Sequence, residues 1–323
     1  MRPPYEITPQ ILKSTAEITE LLGSLSGALI AKPDIKLRRR NRIKTIKSSL
    51  AIEGNTFTEE QITALLDGKR VLGSPREITE VQNALKLYAD LPRYRPDKIK
   101  DFLSAHGVLM RGLVKSAGRW RSVNVGVVSG TKVIHVAPKP LFVPKLMQDL
   151  FDWLKIDKAT HYLIKGAVVH YEIEFIHPFE DGNGRMGRFW QSALLTAHNS
   201  IFEYLPVESL IEQKQQQYYR VLEKCGQQGR STLFIEFILQ TLKESLAEYA
   251  GQISGATSAI ADRLAKAAEV FQKNNFSRKD YLTLFKTIST ATASRDLSQG
   301  VQQNLLQKSG DKNNTRYKFQ DTK

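Results

Sequence analysis

The 323-residue chain has one cysteine, Cys225, which rules out an internal disulfide and fits a reducing compartment. It has no apolar run approaching the ~18 residues of a membrane span, so no such span is expected. The opening MRPPYEITPQ has no apolar stretch behind it, so a secretory leader is not expected and a cytoplasmic location is. Acidic residues are scarce: 33 against 47 lysines and arginines, a net charge of +14. That balance favours polyanionic partners, though an ordinary solvated basic surface explains the charge equally well. No internal repeat is apparent. Hydrophobic content of 41% and charged content of 25% are ordinary for a globular protein, and the length suggests two domains.

Spacing of apolar residues predicts a mainly α chain. Residues 8–31 carry a helical stripe of Ile11, Leu12, Ile18, Leu21, Leu22 and Leu25. The basic run KPDIKLRRRNRIKTIK leads into a helix ending near Glu53-Gly54-Asn55, with Gly54 as a left-handed cap. Thr58 to Gln61 reads as a capping box. Helices are expected over 76–91, 97–115, 143–155, 159–174, 208–225 and 231–249. Between them RSVNVGVVSGTKVIHV holds two Val/Ile-rich runs around Ser129-Gly130, a hairpin that must lie against the helical body. GQISG at 251–255 is expected to be a linker. Beyond it, helices at 258–273, 277–287 and about 291–300, then Leu305-Leu306 and Tyr317 to Phe319, describe a winged helix-turn-helix.

The densest chemistry is HPFEDGNGRMGR, residues 177–188. Gly182 and Gly184 allow successive N–H groups to converge on an anion, and a helix starting there aims its positive end at the same place. Arg185 and Arg188 share a face near that end and repel each other unless an anion lies between them, which argues for a polyphosphate. Asp181 offers a hard oxygen suited to Mg²⁺, and Asn183 can bond a phosphate oxygen. His177 is suited to taking a proton near neutral pH. Together these residues read as phosphoryl or nucleotidyl transfer.

The stretch resembles the signature of the Fic family at every specified position: HPF, a free residue, an acid, GNGR, two free residues and Arg. The resemblance extends over most of residues 40–250. It implies a helical core with a β-hairpin flap, and transfer of AMP from ATP to a hydroxyl of a target protein, the chain itself included. His177 resembles the catalytic base, Asp181 the Mg²⁺ ligand, and Gly182, Asn183 and Gly184 the phosphate cradle. Arg185 and Arg188 match the arginines that serve the outer phosphates. The hairpin, with Val123, Val125 and Val127, resembles the flap that aligns the target's backbone by strand addition. Tyr218 and Tyr219 resemble a tyrosine pair lining the adenine pocket; Gly226 stands where some members have Asn.

Upstream, SSLAIEGN places Ser49 and Glu53 four residues apart on one helical face. Alone this is an ordinary helix end. Beside the motif it resembles the family's inhibitory helix, in the class where that helix precedes the core, and implies that Glu53 takes Arg188 from the γ-phosphate. In some relatives the same Glu supports removal of AMP. The expected organisation is 1–95, a helical region with the inhibitory helix at about 40–54; 96–250, the catalytic core; and 256–323, the winged helix. That tail carries twelve basic and six acidic residues over 252–323. Duplex DNA is therefore a candidate partner, with Ser294 and Arg295 toward bases and Lys312, Arg316 and Lys318 toward phosphates. A second copy of the chain is another candidate partner. Rival readings are a DNA-binding regulator whose core senses nucleotide, and transfer of another group such as UMP or phosphocholine. A zinc set of His170, Glu174 and His177 fits no dense metal motif, and His170 reads as a hydrogen-bonded core residue. His106, His135, His161 and His198 show no partners in sequence.

Overall fold

Helix α1 (Pro9–Ala28) buries Ile11, Ile18, Leu22 and Leu25, the stripe expected from its spacing. The computed structural model describes residues 2–28, 35–129, 132–311 and 314–320. Side chains at 26–28, 127–136 and 254–258 lie outside that description. Two compact units divide the chain, Met1–Tyr249 and Ala250–Lys323.

In the first unit α2 (Ile35–Ala51) buries Ile43, Ile46 and Leu50, and its end is closed by Gly54 at φ +91°. Thr58 opens α3 (Glu59–Leu66) with the expected capping box: its side chain accepts from Gln61 N–H, and Gln61 reaches back. Ser74 caps α4 (Pro75–Ala89), where Pro75 sits at the start without costing a hydrogen bond. Then come α5 (Ile99–Leu109), strands β1 (Gly126–Ser129) and β2 (Lys132–Val136), and α6 (Val143–Ile156). β1 and β2 pair antiparallel, Gly126 opposite Val136, with an irregularity between Val127 and Val128. Gly130 of the expected turn lies outside the described residues.

Two helices carry the site. α7 (Tyr162–Ile176) is mostly apolar and largely buried. It packs against α8 (Asn183–His198) closely enough that a Cβ on Gly187 would lie 2.6 Å from the His170 ring. Glycine is needed there for the approach of two helices, not for a bend. Phe102, Phe151 and Trp190 form an aromatic cluster beneath the intervening loop, Phe102 and Trp190 meeting edge-on at 5.0 Å.

The expected helix over 208–225 is two, α9 (Val207–Gln213) and α10 (Gln215–Gln228), broken at Lys214, whose side chain pairs with Glu244. The expected helix 97–115 ends at Leu109 and continues as turns. A larger difference is α11, which runs from Thr232 to Phe271 through the expected linker. Gly251 meets nothing within 4 Å. A glycine costs a helix only ~1 kcal/mol, and Leu246, Tyr249, Ile260 and Leu264 are buried on either side of the stretch. Local composition signalled a break that the neighbours' burial overrides.

In the second unit α12 (Arg278–Leu284) and α13 (Thr290–Gln302) begin at Ser277 and Ser289, whose hydroxyls accept from Asp280 and Thr292 N–H. Strands β3 (Leu306–Ser309) and β4 (Arg316–Phe319) form the expected wing. Its core is Leu264, Phe276, Tyr281, Leu297 and Leu306. The buried Asp296 carboxylate is held by Arg263 at 2.7 and 3.1 Å and by the Tyr281 hydroxyl at 3.2 Å.

Candidate active site

α7 ends because Pro178 cannot continue it, and His177 turns the chain in a left-handed conformation, φ 51° and ψ 61°. Its N–H still reaches Ile173 O at 3.0 Å. The Nδ1 atom lies 3.2 Å from Glu174 O, a carbonyl that can only accept. The neutral ring therefore carries its proton on Nδ1, and Nε2 is the basic nitrogen.

The loop after His177 is held by side chains and backbone of the protein itself. Phe179 is buried and stacks on His106 with centroids 3.5 Å apart. His106 accepts Gly118 N–H on Nδ1 at 2.9 Å and donates from Nε2 to Asp181 O at 3.0 Å. Burial pushes the His106 imidazole down to about 4, so it stays neutral. Asn183 is buried; its Oδ1 accepts Phe179 N–H and its Nδ2 donates to Phe179 O, both at 2.9 Å. Both ends of the Asn183 amide thus brace the loop. The backbone N–H of Asn183, part of the α8 N-terminus, and the second hydrogen on Nδ2 are not used by these two bonds.

Gly182, at φ +86°, caps α8. Asp181 accepts Gly182 N–H at 2.6 Å and Arg185 at 2.9 Å on Oδ1, and Arg76 at 3.0 Å on Oδ2. Arg185 also faces Glu80 at 3.6 Å and is nearly buried behind Asp181. Asp181 is one half-buried hard carboxylate lining the cavity, which fits an Mg²⁺ shared with phosphates and water. It does not make a protein cage, and no set of three metal-ligating side chains exists among the described residues.

Arg188 is 1% exposed. Its Nη2 donates to Glu53 Oε1 at 2.7 Å and to Ser49 O at 3.0 Å, and its Nε donates to Ser49 Oγ at 3.2 Å. Burial alone would weaken the guanidinium's hold on its proton, but the charges of Glu53 and Glu174 outweigh it and drive the pKa up. Nη1 is buried without a partner and lies 3.2 Å from where a Cβ of Gly184 would stand. The Glu53 carboxylate would be 2.4 Å from that same Cβ, so only glycine admits the pair. Ile52 O accepts from Gln215 at 2.9 Å and from the Tyr219 hydroxyl at 3.2 Å, tying the turn after α2 to α10.

These residues face one cavity of about 240 Å³, lined by Glu53, His177, Asp181, Gly182, Asn183, Gly184 and Arg188 at one end and Tyr171, Phe175, Tyr218, Tyr219 and Leu222 at the other. Gly226 lines it too. Arg185 and Ser49 lie behind that wall. Tyr218 is 1% exposed, and its hydroxyl donates to Glu174 at 2.8 Å. His170 Nε2 is 3.0 Å from the same hydroxyl and Nδ1 is 2.8 Å from Gln191, so His170 is the expected core residue. Glu174 is held down to about 2: burial opposes the charge, but His170, Arg188 and His177 outweigh it. Sequence reasoning considered Glu174 only in a rejected zinc set, although its spacing from His177 puts both on one helical face.

The flap begins later than expected. Val123, half exposed, and Val125, partly buried, precede β1; only Val127 lies in the strand, opposite His135. Both legs are gathered by Arg121, which is 3% exposed. It donates to Val123 O at 2.9 Å, Pro138 O at 2.5 Å, Ile176 O at 3.4 Å and His177 O at 2.7 Å. Nothing local to GRWR, residues 118–121, indicates that Arg121 serves carbonyls from three segments.

The Fic/DOC family model matches residues 96–195. A crystal structure of a Fic family protein from Desulfovibrio desulfuricans G20 is 39% identical, covers 100% of this chain and 99% of that one, and superposes with a TM-score of 0.74. The chain belongs to the Fic family. Fic-1 of C. elegans, at 22% identity and a TM-score of 0.60, shares the fold over 76% of the chain and 72% of that structure. Among curated relatives, the protein adenylyltransferase Fic of Nematostella vectensis is 28% identical over 257 residues, 75% of this chain and 57% of that protein. That of Drosophila willistoni is 32% identical over 213 residues, 63% and 41%. The chain thus spans about half the length of the curated Fic relatives it matches. No helix among its described residues is long and apolar enough to cross a membrane.

Proposed function

We propose that this Fic protein transfers AMP from ATP to a hydroxyl of a target protein, and of itself, and that Glu53 restrains it. The carrying observation is the Glu53–Arg188 ion pair at 2.7 Å inside the cavity that His177 also lines. A phosphate tail lying along the α8 N-terminus meets Gly182, Asn183 and Gly184 N–H groups and the helix dipole. Arg188 takes the outer phosphates, with Arg185 held nearby through Asp181. Asp181 would hold Mg²⁺, which supplies charge neutralisation on the phosphates. The base end lies among the aromatic faces of Tyr171, Phe175, Tyr218 and Tyr219; the Tyr218 hydroxyl is already used by Glu174, so the ring offers the contact. His177 Nε2 takes the proton as the incoming hydroxyl oxygen bonds the α-phosphorus; the bond to the bridging oxygen breaks and pyrophosphate leaves. The β1–β2 edge would seat the target strand.

Arg188 cannot serve Glu53 and a γ-phosphate together. Misplacing the tail by about 1 Å costs on the order of 10²-fold in rate. Radiolabelled ATP, with the label on the α-phosphate, tests this. Glu53→Gly should raise self-labelling strongly over the parent, Arg188→Ala should stay inactive with or without Glu53, and Ser49→Ala should activate weakly. Equal, clear labelling by parent and Glu53→Gly would remove the restraint. Preferential labelling from UTP would replace the donor.

One observation favours a further partner for the second unit. β4 turns Arg316 and Lys318 outward, alternating with the inward Tyr317 and Phe319. That basic edge supports duplex DNA as a ligand. Ser294 accepts a hydrogen bond from Arg278 at 3.0 Å, which argues against Ser294 as a base reader. Lys312 lies outside the described residues.

A further inference from the structure

Behind Arg188, on the side away from the cavity, the interior holds a carboxylate that the reaction does not use. Glu208, in the first turn of α9, is 2% exposed. Its Oε1 accepts the Ser192 hydroxyl of α8 at 3.3 Å and the Tyr88 hydroxyl of α4 at 3.4 Å, and its Oε2 is buried without a partner. A buried acid with one oxygen unmatched costs stability, and burial pushes Glu208 up to about 7. Such a residue needs a reason to be there.

Tyr88 supplies it, because its hydroxyl lies next to Ser49, and Ser49 Oγ accepts Arg188 Nε at 3.2 Å. A guanidinium can only donate and a carboxylate only accept. With Glu208 ionised, the hydrogens therefore point one way, from Arg188 onto Ser49 and from Tyr88 onto Glu208, which leaves the Ser49 hydroxyl hydrogen to turn toward Tyr88. Four helices meet here, α8, α2, α4 and α9, and both charged ends are buried.

We infer that Glu208 is a positioning residue for Arg188, holding the guanidinium from behind through Tyr88 and Ser49 so that it meets whichever anion enters in front. The inference rests on the reading of Arg188 as the phosphate-binding arginine. It gives Ser49 a second role. With Glu53 present, Ser49 supports the restraint; with Glu53 absent, it supports ATP binding. Loss of Ser49, Tyr88 or Glu208 should therefore act in opposite directions in the two backgrounds.

The test uses the full-length Glu53→Gly protein, with ATP and AMP affinities measured by calorimetry and self-labelling kinetics beside them. Tyr88→Phe and Glu208→Gln should each raise the Kd and KM for ATP about tenfold, the worth of one hydrogen bond to a charged group. AMP affinity and kcat at saturating ATP should stay within about threefold, because the relay touches only the arginine at the phosphate tail. With Arg188→Ala added, Glu208→Gln should have no further effect on ATP binding. Equal loss of AMP and ATP affinity in both variants would make the relay merely structural and overturn the inference. So would unchanged ATP binding in both while Arg188→Ala weakens it. If Arg188→Ala itself leaves ATP binding unchanged, the reading of Arg188 fails first, and the inference with it.

Discussion

His177 occupies a backbone region that most side chains avoid, although histidine enters it more readily than bulky or β-branched residues. Here it closes α7 and directs the imidazole to the cavity in one step. Since the proposed phosphate cradle does not include the ring, His177→Ala should leave ATP affinity within about threefold. Self-labelling should fall by about 10²–10⁴-fold, the usual worth of a general base. Labelling within threefold of the parent would remove His177 from the mechanism. The buried His106 gives a stability signature. Its folded value of about 4 lies below the ordinary 6.5, so the unfolded chain binds the proton more readily. The stability tied to neutral His106 is complete above pH ~6.5, declines as the pH falls toward about 4 by up to ~1.4 kcal/mol per unit, and changes no further below. Thermal melts across that window should fall more steeply for the parent than for His106→Gln; parallel curves would assign the loss to other groups.

At the scale of elements, the flap, the α7 end and the loop are joined through Arg121. Its guanidinium spends its donors on carbonyls of two flap legs and of the α7 end. Arg121→Lys keeps the charge but not the fork. It should cut self-labelling of the Glu53→Gly protein by about 10²-fold, as the flap edge and His177 lose their common register. ATP affinity should be retained. Unchanged labelling would show that the flap is placed without Arg121. The cap at Thr58 was legible in sequence because it is satisfied within three residues; the caps at Ser74, Ser277 and Ser289 are equally local. The continuity of α11 was not, because glycines at 251 and 255 read as a break while the burial that keeps the helix intact involves distant residues.

For the whole molecule, the first unit holds every residue of the cavity, and the second is a separate helical unit with a basic wing. If that wing meets DNA phosphates, the full chain should shift duplex DNA with an affinity that falls steeply with salt. Arg316→Ala with Lys318→Ala should lessen the slope of log K against log salt by about two, near 0.9 per contact. A chain that shifts no duplex at low salt would leave the wing without a nucleic-acid role. The activity of the first unit should be unaffected by either change.

The sequence by itself determined the helical class, the winged tail and the twelve-residue motif, because caps, periodicity and a glycine-rich helix start are all local. It also paired Glu53 with Arg188, but only through resemblance, since nothing within SSLAIEGN points to a residue 135 positions away. Tertiary structure alone decided the rest. It turned the Asn183 amide inward onto Phe179, matched His106 to Asp181 across 75 residues, and set Arg121 against four carbonyls. It also placed Glu208 and Tyr88 behind Ser49. The physical reason is common to all of them. A buried polar group must find a partner, and which partner it finds depends on how helices far apart in the chain pack against one another.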